Sequence, residues 1–225
     1  MKMDTEIILQ KTREFVTEQL AQDASGHDHW HCFRVCSLAK KIAEKEKADI
    51  FIVQLAALLH DIADWKFHGG DEEIGPRKAK EFLTSLSISQ EITEKIAIII
   101  KEISFKGNKQ KRVFTCKEAM VVQDADRLDA LGAIGIARTF AYGGYKKRPF
   151  YNPKGIVRDY KSFAEYQHGG DSTIHHFYEK LLLLKDLMNT ETGRILAEER
   201  HQFMEQYLQQ FFKEWGESNI QHKLS

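Results

Sequence analysis

Residues 50–64 read Ile-Phe-Ile-Val-Gln-Leu-Ala-Ala-Leu-Leu-His-Asp-Ile-Ala-Asp. As a helix, residues 50–59 are apolar on every side, which predicts a buried helix. The run ends in His60 and Asp61, and Asp64 follows three residues later. A buried imidazole or carboxylate needs a partner, because an unpaired charge in a protein interior is costly. This stretch alone leaves two interpretations open: a capped helix end beside a surface loop, or side chains that hold a metal ion.

The composition favours a helical, globular protein. A chain of 225 residues is long enough to bury a full core. There are only three prolines, and the plentiful Leu, Ala, Glu, Lys and Gln are good helix formers. The 33 basic and 33 acidic residues cancel, so the overall charge gives no indication of a nucleic-acid partner. We therefore expect an all-α protein with no nucleic acid bound.

The termini and cysteines bear on localisation. The N-terminal segment 1–6 is too charged for a signal peptide, and no apolar run approaches the ~20 residues of a membrane span. The chain has three cysteines, an odd number that favours reduced thiols. Cys32 and Cys36 lie four residues apart, which is poor evidence for a zinc site. We expect a cytoplasmic protein with no membrane partner.

His31 is expected to face the core. Apolar residues follow it at helical spacing, at Val35, Leu38 and Ile42. A lone core-facing histidine is usually a satisfied core residue. However, a short link over residues 46–49 would make this helix and the 50–59 helix antiparallel neighbours and bring His31 beside His60. Helical spacing also predicts helices over 4–21, 74–83, 90–103, 115–131, 132–140, 173–188 and 191–215.

The helix predicted over 115–131 supplies a further inward carboxylate. Asp126 has Val122 four residues before it and Ala130 four residues after it, so it shares a face with small apolar residues. Asp129 lies on a neighbouring line, and Asp124 is expected to point elsewhere. Two imidazoles and two carboxylates suit a borderline or hard divalent ion that keeps positions open for water and phosphate. The four inward residues are His31, His60, Asp61 and Asp126.

Residues 141–171 form the long irregular region of the predicted structure. Gly and Pro are frequent there, and Lys146, Lys147 and Arg148 follow Tyr145. A structureless loop of ~30 residues in a compact domain is usually a lid, a binding loop or disordered. Basic and aromatic residues together could hold a phosphorylated base, or they could form an ordinary surface loop, and the sequence leaves both readings open.

Four motifs occur in a fixed order along the chain. They read Gly26-His-Asp-x-x-His31-x-x-Arg34-Val35, Leu-Leu-His60-Asp61-Ile-Ala-Asp64, Phe-His-Gly-Gly-Asp71 and Asp124-Ala-Asp126-Arg127-Leu-Asp129-Ala. A His-Asp pair alone is a weak signal, whereas the four-part order with these flanks is specific. The chain resembles the HD-domain metal-dependent phosphohydrolase superfamily, in its YpgQ/YedJ-like branch. The resemblance covers residues 20–145 and is expected to extend over the whole chain.

This resemblance implies an all-α HD-domain helical bundle that forms a single domain over 1–225. Its catalytic core would span about 20–145, with C-terminal helices within 173–215. It implies one divalent metal ion (Mn, Mg, Co, Ni, Fe or Zn) held by His31, His60, Asp61 and Asp126. Branches that bind two metals need additional histidines between Asp61 and Asp126, where His68 is the only one. The implied activity is hydrolysis of phosphate esters or anhydrides on nucleotides, foremost of a nucleoside triphosphate to monophosphate and pyrophosphate.

Further residues receive roles by chemistry. Asp64 could orient or deprotonate the attacking water. Cationic side chains could neutralise phosphate charge, and others could line the mouth of the site or close over a triphosphate. The catalytic candidates are Asp64, Lys66 and Arg127, and the substrate-binding candidates are His27, His68, Arg77, Tyr145, Lys146, Lys147 and Arg148.

Alternative functions remain open at this stage. One is a nucleoside 5′-monophosphatase or a hydrolase of guanosine alarmones. Another is a non-catalytic HD domain that binds a nucleotide as a regulatory module. The intact set of four ligands speaks against the non-catalytic reading. The sequence leaves open whether the protein is a monomer or a homodimer.

Overall fold

The structure, a computed structural model, describes residues 4–21, 28–63, 71–103, 114–158 and 171–216. These residues form helices joined by turns, with no strand in the described ranges. The predicted all-α class is confirmed. The helices are α1 (Thr5–Gln19), α2 (His29–Glu46), α3 (Ile50–Leu59), α4 (Ile74–Ser85), α5 (Gln90–Ile103), α6 (Lys117–Asp129), α7 (Gly132–Tyr145), α8 (Thr173–Glu179), a 3-10 helix (Leu181–Leu187) and α9 (Glu191–Trp215).

The described chain divides into two compact units. The first contains α1 to α5 and α6 as far as Asp126. The second begins at Arg127 and contains α7, α8, the 3-10 helix and α9. Within the described ranges, no helix has the length and apolar character needed to cross a membrane.

The core of the first unit is built around α3, which packs against α1, α2 and α5. Seven of its ten residues are buried, and the side chains from Leu55 to Leu59 are fully enclosed. The exceptions are Phe51 and Gln54, which are half-buried, and Ile50, which is exposed because it opens the helix at the end away from His60.

A short link joins α2 to α3, as the sequence predicts. Lys47 ends α2 in the left-handed conformation with φ 57°. Asp49 then begins α3, because its side-chain oxygen accepts a hydrogen bond from the Ile52 N–H at 3.0 Å. Side-chain acceptors of this kind satisfy the first free N–H groups of a helix. The link leaves α2 and α3 packed side by side.

The first turn of α6 is fastened to this link. Lys117 Nζ donates to the Glu46 carbonyl oxygen at 2.8 Å, and Glu118 Oε1 accepts from the Asp49 N–H at 3.1 Å. Glu118 Oε2 also pairs with Lys95 Nζ of α5 at 3.0 Å. Burial alone would raise the pKa of the Glu118 carboxyl, but Lys95 and the Asp49 N–H favour the carboxylate and lower its pKa to about 2.

Acidification is expected to weaken the protein as Glu118 takes up a proton. Its folded-state pKa of about 2 lies below the ordinary 4.5, so the carboxylate contributes stability above pH 4.5 that is lost as the pH falls toward 2. At pH 7, Glu118→Gln should lower the free energy of unfolding by about 1–3 kcal/mol, a range that allows for the partial exposure of Lys95. Urea unfolding of the wild-type protein and Glu118→Gln at pH 7 and pH 3 tests this. If the two proteins differed in free energy of unfolding by the same amount at both pH values, the prediction would be contradicted.

The second unit corrects two boundaries expected from the sequence. First, α7 continues through Tyr145, although residues 141–145 are expected to be irregular. Glycine fits at position 143 because the Thr173 side chain occupies the space where a Cβ would lie. Second, the single helix expected over 173–188 is two helices, because the backbone of Lys180 leaves the helical region and a 3-10 helix follows.

Residues 146–158 are irregular, as predicted, and their first part is anchored to α8. The Thr173 N–H donates to the Pro149 carbonyl at 3.0 Å, and the Ile174 N–H donates to the Phe150 carbonyl at 2.9 Å. The Arg148 N–H also donates to the Gly143 carbonyl at 2.8 Å. This part of the region predicted as a long loop is therefore hydrogen-bonded to its neighbours.

Candidate metal centre

His31 lies in the first turn of α2 and faces inward. Asp28 begins this helix, and its side-chain Oδ1 accepts from the His31 N–H at 3.0 Å. The His31 side chain is 2% exposed. Its ring lies edge-on to that of His60, with centroids 5.2 Å apart. The predicted approach of these two histidines is confirmed.

His60 follows directly on α3, in helical backbone conformation. Its Nδ1 lies 2.8 Å from the Ala57 carbonyl oxygen. A carbonyl only accepts hydrogen bonds, so Nδ1 carries a proton and Nε2 is the ring nitrogen directed to the cluster. A hydrogen bond of this kind fixes the ring orientation of metal-binding histidines.

Asp126 of α6 joins the two histidines. Its Oδ1 lies 3.3 Å from His31 Nε2 and 3.7 Å from His60 Nε2. The side chain is 34% exposed, so the carboxylate lies at the outer side of the cluster, where a ligand can approach. Asp61 Oδ2 lies 4.0 Å from His31 Nε2, next to the same group.

The electrostatics of the cluster favour a cation. Burial would lower the pKa of His60, yet the neighbouring Asp126 carboxylate and the charge of Asp61 raise that pKa to about 9. Burial would likewise raise the pKa of Asp126, but the neighbouring imidazoles of His31 and His60 hold that pKa well below its ordinary value. Both shifts show that the carboxylates favour a positive charge at this point. A bound cation would supply it.

The geometry also fits a metal ion. The donor atoms of His31, His60 and Asp126 all lie within 4.8 Å of one another. Ligands of a divalent ion bond at about 2.0–2.2 Å, which places neighbouring donor atoms about 3–3.5 Å apart. Small side-chain adjustments would bring the three donors to one ion. Asp61 stands outside this group of three but close enough to be a fourth ligand.

The other acidic residues of α6 are not part of this group. Asp124 is completely buried, which the sequence does not predict. Asp129 is buried and accepts from Arg138 Nη1 at 2.8 Å within the second unit. Arg127 is also buried, and its Nη1 donates to the Leu187 carbonyl oxygen. These contacts hold the second unit together.

Several residues singled out in the sequence lie apart from the metal-ligand group or outside the described ranges. Arg77 lies on α4 and pairs with Asp71 at 3.0 Å on the surface. Cys32 and Cys36 are buried and form no disulfide, and they do not belong to the metal-ligand group found among the described residues. The predicted residues that lie outside the described ranges are His27, Asp64, Lys66 and His68.

Two basic residues after α7 form a cluster with two tyrosines of its last turn, within the second unit. Lys146 Nζ lies 5.6 Å from the ring centroid of Tyr142 and 5.4 Å from that of Tyr145. The Arg148 guanidinium lies 5.9 Å from the Tyr142 ring. These distances are typical of cation–π contacts. The side chains of Lys146 and Arg148 therefore pack against tyrosine rings in this structure. The sequence does not predict these contacts.

Comparison with known proteins places the chain in a family. The family model described as HD domain matches residues 30–131, a range that contains all four predicted metal ligands. YpgQ of Bacillus subtilis is 40% identical over 207 residues, which cover 91% of this chain and 92% of YpgQ.

The chain belongs to the HD-domain superfamily.

Solved structures agree with this assignment. An HD-superfamily hydrolase from Bacillus thuringiensis is 43% identical, with a TM-score of 0.75 and coverage of 95% of this chain and 99% of that one. The structure of B. subtilis YpgQ in complex with ADP is 38% identical in the structural alignment, with a TM-score of 0.75 and coverage of 94% and 97%. Proteins of the HD superfamily bind divalent metals, and this HD-domain protein is a metal-dependent phosphohydrolase.

Proposed function

We propose that the protein hydrolyses nucleoside triphosphates to nucleoside monophosphate and pyrophosphate, with one divalent metal ion held by His31, His60, Asp61 and Asp126. The observation that carries the proposal is the convergence of two imidazoles and a carboxylate on one point, with Asp61 beside them. The relative YpgQ binds ADP, which supports a nucleotide as the ligand. The proposed location is the cytoplasm, and the oligomeric state is left open between monomer and homodimer.

The ligand residues are suited to hold such an ion. When bound, a divalent metal polarises a phosphoryl oxygen and lowers the pKa of water. The two histidines offer Nε2, and the two aspartates offer carboxylate oxygens. The Ala57 carbonyl keeps His60 in the tautomer that this task needs.

Asp64 is our proposed general base. It follows Asp61 by three residues and lies outside the described ranges. In the proposed step, a water oxygen forms a bond to the α-phosphorus while the bond from that phosphorus to the bridging oxygen of pyrophosphate breaks. The water proton moves to the Asp64 carboxylate, and pyrophosphate leaves with the electron pair.

The triphosphate needs more positive charge than one metal ion supplies. It carries about four negative charges, and a divalent ion offsets only two of them. We propose Lys66 and Arg127 for charge neutralisation during the reaction, and His27 and His68 for the mouth of the site. The proposed substrate-binding cations and aromatic residue are Arg77, Tyr145, Lys146, Lys147 and Arg148.

Replacing Lys146, Lys147 and Arg148 together by Ala should raise KM for triphosphates by about tenfold or more, because each charge-assisted hydrogen bond to phosphate is worth about 1.5–3 kcal/mol. KM for a small phosphate ester with a neutral leaving group should change little, since such a substrate lacks the distal phosphates. Steady-state kinetics on both substrates measures the difference. Equal changes for the two substrates, or none, would show that this cluster is ordinary surface.

A metal-by-nucleotide matrix on the purified protein tests the proposed function. Each nucleoside triphosphate is incubated with Mn²⁺, Mg²⁺, Co²⁺, Ni²⁺, Fe²⁺ or Zn²⁺, and the products are separated by chromatography. Monophosphate plus pyrophosphate supports the proposal. Phosphate release from monophosphates alone would indicate a 5′-monophosphatase, and turnover of guanosine alarmones alone an alarmone hydrolase. Tight nucleotide binding without turnover under every condition would indicate a regulatory domain.

A further inference from the structure

The carboxylate of the metal cluster belongs to a helix that is fastened at its opposite end. Asp126 lies eight residues after Glu118 on α6, about 12 Å along the helix axis. At the N-terminal end of α6, Glu118 Oε1 accepts from the Asp49 N–H at 3.1 Å, and Lys117 Nζ donates to the Glu46 carbonyl at 2.8 Å. Both contacts are made to the link between α2 and α3.

This link joins the two helices that carry the histidines. His31 lies on α2 and His60 directly follows α3. The N-terminal end of α6 is therefore bonded to the link between α2 and α3. Farther along α6, Asp126 meets the histidines that these two helices position. A helix is a stiff rod, so a contact at one end constrains the position of a side chain two turns away.

The apolar face of α6 is a poor guide to its register. The apolar side chains buried there within the first unit are small, namely Ala119, Val121, Val122 and Ala125, and the polar Gln123 and Asp124 are buried beside them. Small side chains form shallow ridges, which allow one helix to shift along another at a modest packing cost. A shift of one residue moves Asp126 by about 1.5 Å and turns it by about 100°. Metal–ligand bonds keep their lengths to about 0.2 Å, so a helix shift of this size is more than a small side-chain adjustment can absorb. The register of α6 therefore needs directional contacts as well as apolar packing.

Glu118 has the properties of such a determinant. It is buried, and both of its carboxylate oxygens are engaged: Oε1 with the Asp49 N–H and Oε2 with Lys95 Nζ at 3.0 Å. These contacts come from the link before α3 and from α5, both in the first unit. Hydrogen bonds to a carboxylate are directional and short, so they specify one register.

We propose that Glu118, supported by Lys117 and Lys95, is a positioning residue for the metal centre, which sets the distance from Asp126 Oδ1 to Nε2 of His31 and His60. The inference rests on the proposed metal site. It assigns to Glu118 an effect on metal affinity in addition to its effect on stability.

Calorimetric titration of the metal-free full-length protein with Mn²⁺ tests this. We expect Glu118→Ala to weaken Mn²⁺ affinity by about tenfold, at the low end of the range for residues that orient metal ligands. Glu118→Gln keeps an oxygen that can accept from the Asp49 N–H, so it should lose less than about threefold. The ligand-field spectrum of the Co²⁺-loaded protein should change in the Ala variant and not in the Gln variant, because it reports coordination geometry.

Leu83→Ala is the control for stability. Leu83 is a fully buried residue of α4. Its truncation should destabilise the first unit at least as much as Glu118→Ala does, while Glu118 itself is unchanged. All titrations are made well below the unfolding temperature of each variant. Wild-type affinity in Glu118→Ala, or an equal loss in Leu83→Ala, would overturn the inference. No Mn²⁺ binding by the wild-type protein would instead refute the metal site itself.

Discussion

Replacing His60 by Ala is expected to abolish stoichiometric binding of a divalent metal and to reduce phosphohydrolysis by about 10³-fold or more. The variant removes one of the imidazoles that face Asp126, and with it the ring whose orientation the Ala57 carbonyl determines. A metal that polarises a phosphoryl oxygen contributes several kcal/mol to catalysis, and each 1.36 kcal/mol is about tenfold in rate. Asp61→Ala should have the same consequence if Asp61 is the fourth ligand.

Elemental analysis of each variant after dialysis measures the metal content per chain. His29→Ala is the matched control, since His29 lies two residues before His31 but packs against Trp30 and Phe33. We expect this control to retain its metal. Full retention of the metal in both His60→Ala and Asp61→Ala would refute the proposed ligand set.

Replacing Asp64 by Asn is expected to leave the metal in place and to reduce turnover by about 10²–10⁴-fold, the usual contribution of a general base. An amide of nearly the same shape cannot accept the proton of the attacking water. The metal ligands are unchanged, so metal content should equal that of the wild-type protein. The same substitution at the exposed Asp186 of the 3-10 helix serves as a control.

Turnover and metal content are measured on the same preparation of each variant. A loss of activity together with a loss of metal would assign Asp64 to metal binding. Near-normal turnover in Asp64→Asn would remove it from the mechanism altogether.

The strongly periodic helices were predictable from the sequence. The expected ranges 90–103 and 191–215 coincide with α5 and α9, because apolar residues recur there at helical spacing over many turns. The meeting of His31, His60 and Asp126 followed from the same periodicity, since each heads or joins a buried face. Long, regular patterns leave few alternative structures.

The second unit departs from the sequence-based expectation where packing overrides local preference. A Gly-Gly pair usually ends a helix, yet α7 runs through Gly143 because a Thr173 side chain packs closely against it. The leucines from 181 to 187 fit either an α-helix or a 3-10 helix over so short a stretch, and the backbone turn at Lys180 decides between them. Such contacts are made between residues far apart in sequence, so the sequence pattern does not reveal them.

Glu118 illustrates a further limit of sequence reasoning. An acidic residue in the first turn of a helix is ordinary, because it complements the helix dipole. Its contact with the Asp49 N–H joins residues 69 positions apart, and no local pattern marks that pair. The cation–π contacts of Lys146 escape prediction for a related reason, since they depend on which rotamer a long, flexible side chain adopts.

The burial of α3 has a consequence for how the protein and its metal would respond to heat. Leu59 and Ile62, on either side of His60 and Asp61, are both buried, so moving these two proposed ligands away from the cluster would expose apolar side chains. We expect amide hydrogens in such a buried segment to exchange with solvent through large unfolding events. The free energy of metal binding is then added to the stability of the whole first unit. Each tenfold rise in free metal above its dissociation constant raises the free energy of unfolding by about 1.4 kcal/mol, and the melting temperature becomes a measure of occupancy.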